Sequence, residues 1–189
     1  MNITMRLDKN RLLQTAQPQL ILIGGTGRNV GKTQFACDLI KTIVKDYDVF
    51  GLKVSSVFPD EKIYHGNHDE TLEIQSLFEE KRLHTNKDTS RMLRAGARQV
   101  FYLRSDNDHI LENYLHFLQL IPEKSIIVCE SNSLGYHVNP IKHIIITKRG
   151  AAVKPRAQRL LSLADMVLSS PQQKEINEIY QNLKTTWLQ

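Results

Sequence analysis

Residues 20–33 hold the chain's most chemically suggestive spacing. An apolar run (Leu20, Ile21, Leu22, Ile23) leads into Gly24, Gly25, Thr26, Gly27, Arg28, Asn29 and Val30, and then into Gly31-Lys32-Thr33. Such a pattern suits one task, the holding of phosphate. Small residues in a turn let successive backbone N–H groups point inward at phosphate oxygens, and a helix opening behind them adds its partial positive charge. Lys32 offers a cation to β- and γ-phosphates, and Thr33 offers a hydroxyl to Mg²⁺. The usual spacing, G-x-x-x-x-G-K-[ST], asks for glycine at position 26, where this chain has Thr26 between Gly25 and Gly27. The nucleotide-binding candidates are therefore Gly27, Arg28, Asn29, Val30, Gly31, Lys32, Thr33 and Gln34, with Lys32 also the catalytic cation.

Two carboxylates are candidates to complete that site. Glu130 ends the apolar run Ile126-Ile127-Val128-Cys129, and in open α/β sheets ligands sit outside the carboxyl ends of strands. A carboxylate there can hold Mg²⁺ or order an attacking water. Asp88 precedes a short helical stretch ending at Gly96; it is either a cap for that helix or a metal ligand. With Thr33, these make up the expected metal set. Lys53 lies inside an apolar strand, where an unpaired charge is costly, so it either reaches an anion or pairs with a carboxylate. Arg91 and Arg94 share a helix face and either reach a phosphate or meet solvent. Residues 147–150, after a late strand, are a weak candidate to stack on a nucleobase. His65 and His68 supply two nitrogens where a closed zinc site takes four donors, so the seven histidines read as surface residues.

These side chains need a scaffold, and periodicity outlines one. Strands are expected over 20–23, 48–56, 100–103, 125–130, 143–147 and 165–168. Helices are expected over 32–45, 69–82, 88–95, 107–120 and 155–164, with a last one from Pro171. This alternation predicts an α/β fold of three layers, a mostly parallel sheet flanked by helices, as in phosphate-loop NTPases. Length favours a single nucleotide-binding domain over residues 1–189. Residues 1–19 are polar, lack the apolar centre of a signal peptide, and read as a flexible lead-in.

Composition narrows the class. A hydrophobic share of 41% fits a soluble chain, and no apolar run approaches the roughly 20 residues that span a bilayer. The two cysteines, Cys37 and Cys129, fall on an expected helix and an expected buried strand, which suits a reducing cytoplasm. A net charge of +5 raises nucleic acid as a partner. The basic residues are mostly dispersed and lack an aromatic stripe, so neither nucleic acid nor membrane is the expected partner.

Several segments together resemble the molybdopterin-guanine dinucleotide biosynthesis adapter proteins. Residues 28–33 are similar to that family's K-N-S-G-K-T loop, and residues 87–97 to its G-K-D-S-x-R-x-R-x-A-G-A stretch. Residues 51–54 resemble its second-strand I-K segment, and residues 128–130 its V-x-V-E-G. The likeness runs in order over about residues 20–147. It departs at Thr26 (glycine in the family), at 54–57 (a histidine-bearing stretch there) and at 131–133 (Gly-Phe there). The resemblance implies a GTP-binding, Mg²⁺-dependent, weakly hydrolysing protein, usually a homodimer, that works with a molybdenum cofactor biosynthesis enzyme. It puts Gly31, Lys32 and Thr33 on phosphate and metal, and Asp88 and Glu130 at switch and metal-water positions. The same loop also resembles dethiobiotin synthetase, whose G-T-x-x-x-V-G-K-T spacing matches residues 25–33 without a gap. That likeness implies an ATP-dependent ligase or kinase of small molecules, with Lys53 binding an anion. A nucleotide-dependent adapter without hydrolysis is the third reading. Nothing in the sequence chooses GTP over ATP, because no N-K-x-D base-reading motif occurs.

Overall fold

A computed structural model of the chain describes residues 19–56, 76–148, 150 and 155–187. Seven strands form one sheet: β1 (Gln19–Gly25), β2 (Val49–Ser56), β3 (Ser76–Glu79), β4 (Gln99–Ser105), β5 (Ile126–Glu130), β6 (Lys142–Thr147) and β7 (Met166–Ser169). The helices are α1 (Lys32–Ile43), α2 (Asp88–Arg94), α3 (Ile110–Leu118), α4 (Pro155–Leu161) and α5 (Gln173–Asn182). Strand order across the sheet is β3-β4-β2-β5-β1-β6-β7, and every pairing is parallel except β3 with β4. This is the expected α/β architecture, a mostly parallel sheet flanked by helices.

The period-2 alternation of the strands decides which helix lies where. On one face Ile21, Ile23, Val49, Val100, Ile126, Val128, Ile144 and Ile146 pack with α1, α2 and α5. On the other, Leu20, Leu22, Phe50, Leu52, Val54, Phe101, Leu103, Ile127 and Cys129 pack with α3 and Leu134. Strands buried on both faces read as continuous apolar runs, which is why β1 and β5 are so apolar. Helix α1 turns Phe35, Ala36, Leu39, Ile40 and Ile43 to the sheet. Each large side chain among them contributes roughly 1.5–3 kcal/mol by leaving water.

The centre of the sheet also marks a change of direction. From β1 the chain runs through α1 to β2 on one side, whereas from β6 it runs through α4 to β7 on the other. A crevice outside the carboxyl ends of such strands is the usual ligand position in this architecture.

One expected element is overturned. The helix expected over 69–82 is a strand where described: Ser76–Glu79 pairs antiparallel with β4, Leu77 opposite Leu103 and Phe78 opposite Tyr102. Local composition favours helix there, but an open sheet edge supplies ladder hydrogen bonds that outweigh it. Residues 69–75 of that expectation, the lead-in over 1–18, and His65 and His68 lie outside the described residues. Among the described residues no helix is long and apolar enough to cross a membrane. Both Cys37 and Cys129 are buried free thiols.

Leu39 is fully buried in the middle of α1, facing the sheet. Leu39→Ala is expected to destabilise the fold by about 2–5 kcal/mol. Urea titration checks it: the midpoint falls while the slope stays unchanged.

Candidate functional site

Side-chain alternation places the site on the α1/α2 face. Lys53 shares its strand face with Val49 and Gly51, and Glu130 shares its own with Ile126 and Val128. The register sets Lys53 and Glu130 side by side on neighbouring parallel strands. Helices α1 and α2 begin above that same edge, delivering Thr33 and Asp88. Four residues distant in sequence are thus brought to one point.

The contacts there are close and reciprocal. Lys53 Nζ donates to Glu130 Oε1 at 2.5 Å and lies 3.0 Å from Asp88 Oδ2. Thr33 Oγ1 stands 2.7 Å from Glu130 Oε2 and 2.9 Å from Asp88 Oδ1. A hydroxyl carries a single proton, so Thr33 donates to one carboxylate at a time. Glu130 is 2% exposed, and a carboxylate so buried needs charged or hydrogen-bonding partners. Burial works against charge on Lys53, but Glu130 and Asp88 outweigh it and hold the ammonium above the ordinary lysine range. Burial likewise opposes charge on Asp88, and Lys53, Thr33 and Arg91 outweigh it, lowering the carboxyl. Both groups are therefore charged at neutral pH.

Of the two readings of Asp88, the helix cap is not what forms. Lys87 occupies the N-cap position of α2 without a side-chain bond, and the Asp88 carboxylate turns to Lys53 and Thr33. Lys53 takes the carboxylate-pairing alternative. Arg91 Nη2 donates to Gln34 Oε1 at 2.8 Å, while Nη1 stays 4.0 Å from Asp88. Arg94 instead donates to the carbonyls of Leu83 and Thr85.

The glycine loop stands beside this cluster. Thr26, the departure from the usual spacing, is 2% exposed, donates its amide to Ile146 O, and is not among the positive-φ residues. The tight approach falls one residue earlier. A Cβ at Gly25 would meet Lys32 Cδ and Val30 Cγ2, both at 2.8 Å. Gly31 has φ +103° with open space around it, so conformation and not volume calls for glycine there. Asn29 is also left-handed, and Arg28 and Asn29 are exposed. Lys32 Nζ donates to Gly27 O at 3.0 Å. Among the described residues no backbone carbonyl accepts from the amides of Gly27, Arg28, Asn29, Val30 or Gly31. Helix α1 opens on this loop with no acidic residue in its first turn. Free amides and a helix N-terminus are what a bound anion uses.

The oxygen donors Thr33, Asp88 and Glu130 suit Mg²⁺, which commonly takes one or two carboxylates and leaves other positions to water and phosphate. No group of three or more His, Cys, Asp or Glu that could by itself hold a metal ion occurs among the described residues.

Other contributors escaped the sequence reading. Asn132 brackets Gly25, accepting from its amide at 2.8 Å and donating to its carbonyl at 2.9 Å. A polar side chain just past an apolar strand end was the available signal. Glu80 is 8% exposed and accepts from Arg82 N and Nε and from Thr89 Oγ1, next to Asp88. A cavity of about 370 Å³ opens beside the loop, lined among others by Val30, Gly31, Gln34, Ser170, Gln172 and Ile176. Residues 147–150 do not line it, and Arg149 lies outside the described residues. The histidines are not all at the surface: His143 is 2% exposed, and burial lowers its pKa. Its backbone lies in β6, whose alternating side chains are enclosed.

A scan of protein-family models and a search of curated proteins return no match for this chain.

Burial opposes charge on Glu80, yet Arg82 and Thr89 draw its carboxyl down from 4.5 to about 2. The folded state therefore gains stability above pH 4.5 that is lost as pH falls through 4.5 toward 2. Glu80→Gln is expected to cost about 2 kcal/mol at pH 7. Its stability curve is also expected to be flatter than the wild type's in that acid window, as thermal melts against pH will read.

Proposed function

We propose that this chain binds a Mg²⁺–nucleoside triphosphate, GTP first among candidates, and hydrolyses it slowly. The observation that carries this reading is the convergence of Thr33, Asp88 and Glu130 on one point beside a glycine loop whose amides meet no backbone carbonyl among the described residues. The resemblance of residues 28–33 and 87–97 to the molybdopterin-guanine dinucleotide biosynthesis adapters supports GTP. It also supports a homodimer serving a molybdenum cofactor biosynthesis enzyme. A cytoplasmic setting belongs to the same reading, supported by the two free buried thiols.

In this mechanism the amides of residues 27–31 receive the phosphate oxygens, and Lys32 leaves Gly27 O to lie along the β- and γ-phosphates. Thr33 presents an oxygen lone pair, with Asp88 and Glu130 as its neighbours, directly or through water. The metal, when bound, supplies positive charge against the charge that gathers on the β–γ bridge. Glu130 orients a water toward the γ-phosphorus, and the preset dipoles of the loop stabilise the developing charge. The cavity between the loop and residues 170–173 is of nucleoside size, which supports it as the place of the base and sugar.

A second reading, an ATP-dependent ligase or kinase, is supported by the likeness of residues 25–33 to the dethiobiotin synthetase loop. It requires turnover to depend on an acceptor, whereas the first gives slow hydrolysis by the protein alone.

Lys32→Ala is expected to weaken GTP and ATP binding by about tenfold or more, since a charge-assisted contact is removed. The fold, read by circular dichroism, stays intact. Equal affinity in variant and wild type for both nucleotides, measured by calorimetry, would sink the phosphate assignment.

A further inference from the structure

The contacts of Lys53 bear on when a metal ion can enter. All four oxygens of Asp88 and Glu130 have a near neighbour: Lys53 Nζ faces one oxygen of each, and Thr33 Oγ1 faces the other of each, donating to one of them at a time. A divalent cation on this donor set needs those oxygens, and it needs Thr33 to turn a lone pair outward instead of its proton. It also brings two positive charges against an ammonium already in place. Lys53 and the metal thus compete for the same carboxylates, and like charges at such range repel strongly where water is partly excluded. The lysine side chain is 18% exposed, toward the carboxyl end of an interior strand, and its four-carbon stem lets the head group relocate without moving β2.

We propose that Lys53 is a built-in counter-ion that closes the Asp88–Glu130 site to divalent metal until a polyphosphate arrives and draws the ammonium away. This rests on the nucleotide reading above and adds an order to it: metal enters with the triphosphate and not before. The free protein keeps its two carboxylates partly compensated from within, one ammonium between them. In the loaded protein Lys53 becomes a second cation on the γ-phosphate side, opposite Lys32.

The test is Mn²⁺ binding followed by electron paramagnetic resonance, with the full chain and no nucleotide. Lys53→Met is expected to bind Mn²⁺ about tenfold more tightly than wild type, as removing a competing charge predicts. Adding a non-hydrolysable GTP or ATP analogue is expected to close that gap by raising wild-type affinity. Equal or weaker Mn²⁺ binding by Lys53→Met overturns the proposal. Wild type alone settles the matter if that variant does not fold: one Mn²⁺ held as tightly without the analogue as with it also overturns it, and tight binding only with the analogue supports it. If neither analogue binds but the gain in Lys53→Met persists, the counter-ion role stands and the nucleotide reading falls. Loss of both effects removes both.

Discussion

A carboxylate 2% exposed at the end of a central strand is the constraint around which this protein is arranged. Glu130 closes the most apolar strand of the sheet, where an isolated charge would be expensive to maintain. Its neighbour in register is Lys53, on the same face of the adjacent strand. Alternation leaves no freedom here: a slip of one residue in β2 would send Lys53 to the α3 face and leave Glu130 without its cation. The pair is therefore a register marker as well as a charge pair. Thr33 and Asp88 close it from above because α1 and α2 lie on that face.

The surroundings hold this arrangement from several directions. Asn132 fastens the start of the loop to the segment after β5 through two bonds to Gly25. Glu80 fastens the first turn of α2 to the end of the antiparallel edge strand through Thr89. Arg91 links α2 to α1 through Gln34. Each tie joins one element of the site to another, so their relative positions do not rest on the loop alone. Rigid support of this sort holds the backbone around the site in place, so that only the heads of a few polar side chains need rearrange at the moment of binding.

Much of this was legible in the sequence, for physical reasons that can be named. Buried parallel strands must be apolar throughout, so β1 and β5 stand out, and α1 shows its period because one face packs on the sheet. Glu130 and Lys53 were conspicuous as charges in apolar runs. That they touch was not legible, since strand order and register come from long-range pairing that no local pattern records. Residues 76–79 misled for a related reason: Leu77, Phe78 and Glu79 suit a helix until a neighbouring edge offers hydrogen bonds. Asp88 looked like a cap because capping is local, and the lysine that claims it lies 35 positions away on β2. His143 looked like a surface residue because a polar side chain in a strand carries no local mark of enclosure.

The glycine loop separates two demands that a motif letter merges. At Gly31 the requirement is a left-handed backbone in open space, and asparagine or aspartate, which visit that region more readily than other side chains, meet it in part. At Gly25 the requirement is volume, because the Lys32 stem and Val30 occupy the place of any Cβ. Thr26 faces neither demand. A side chain at 25 therefore requires the Lys32 stem and Val30 to move, one at 31 is limited to a few residue types, and position 26, buried but under neither demand, accepts a residue that a glycine-only pattern rejects. A pattern anchored on the lysine stem's footprint would find relatives that one anchored on position 26 passes over.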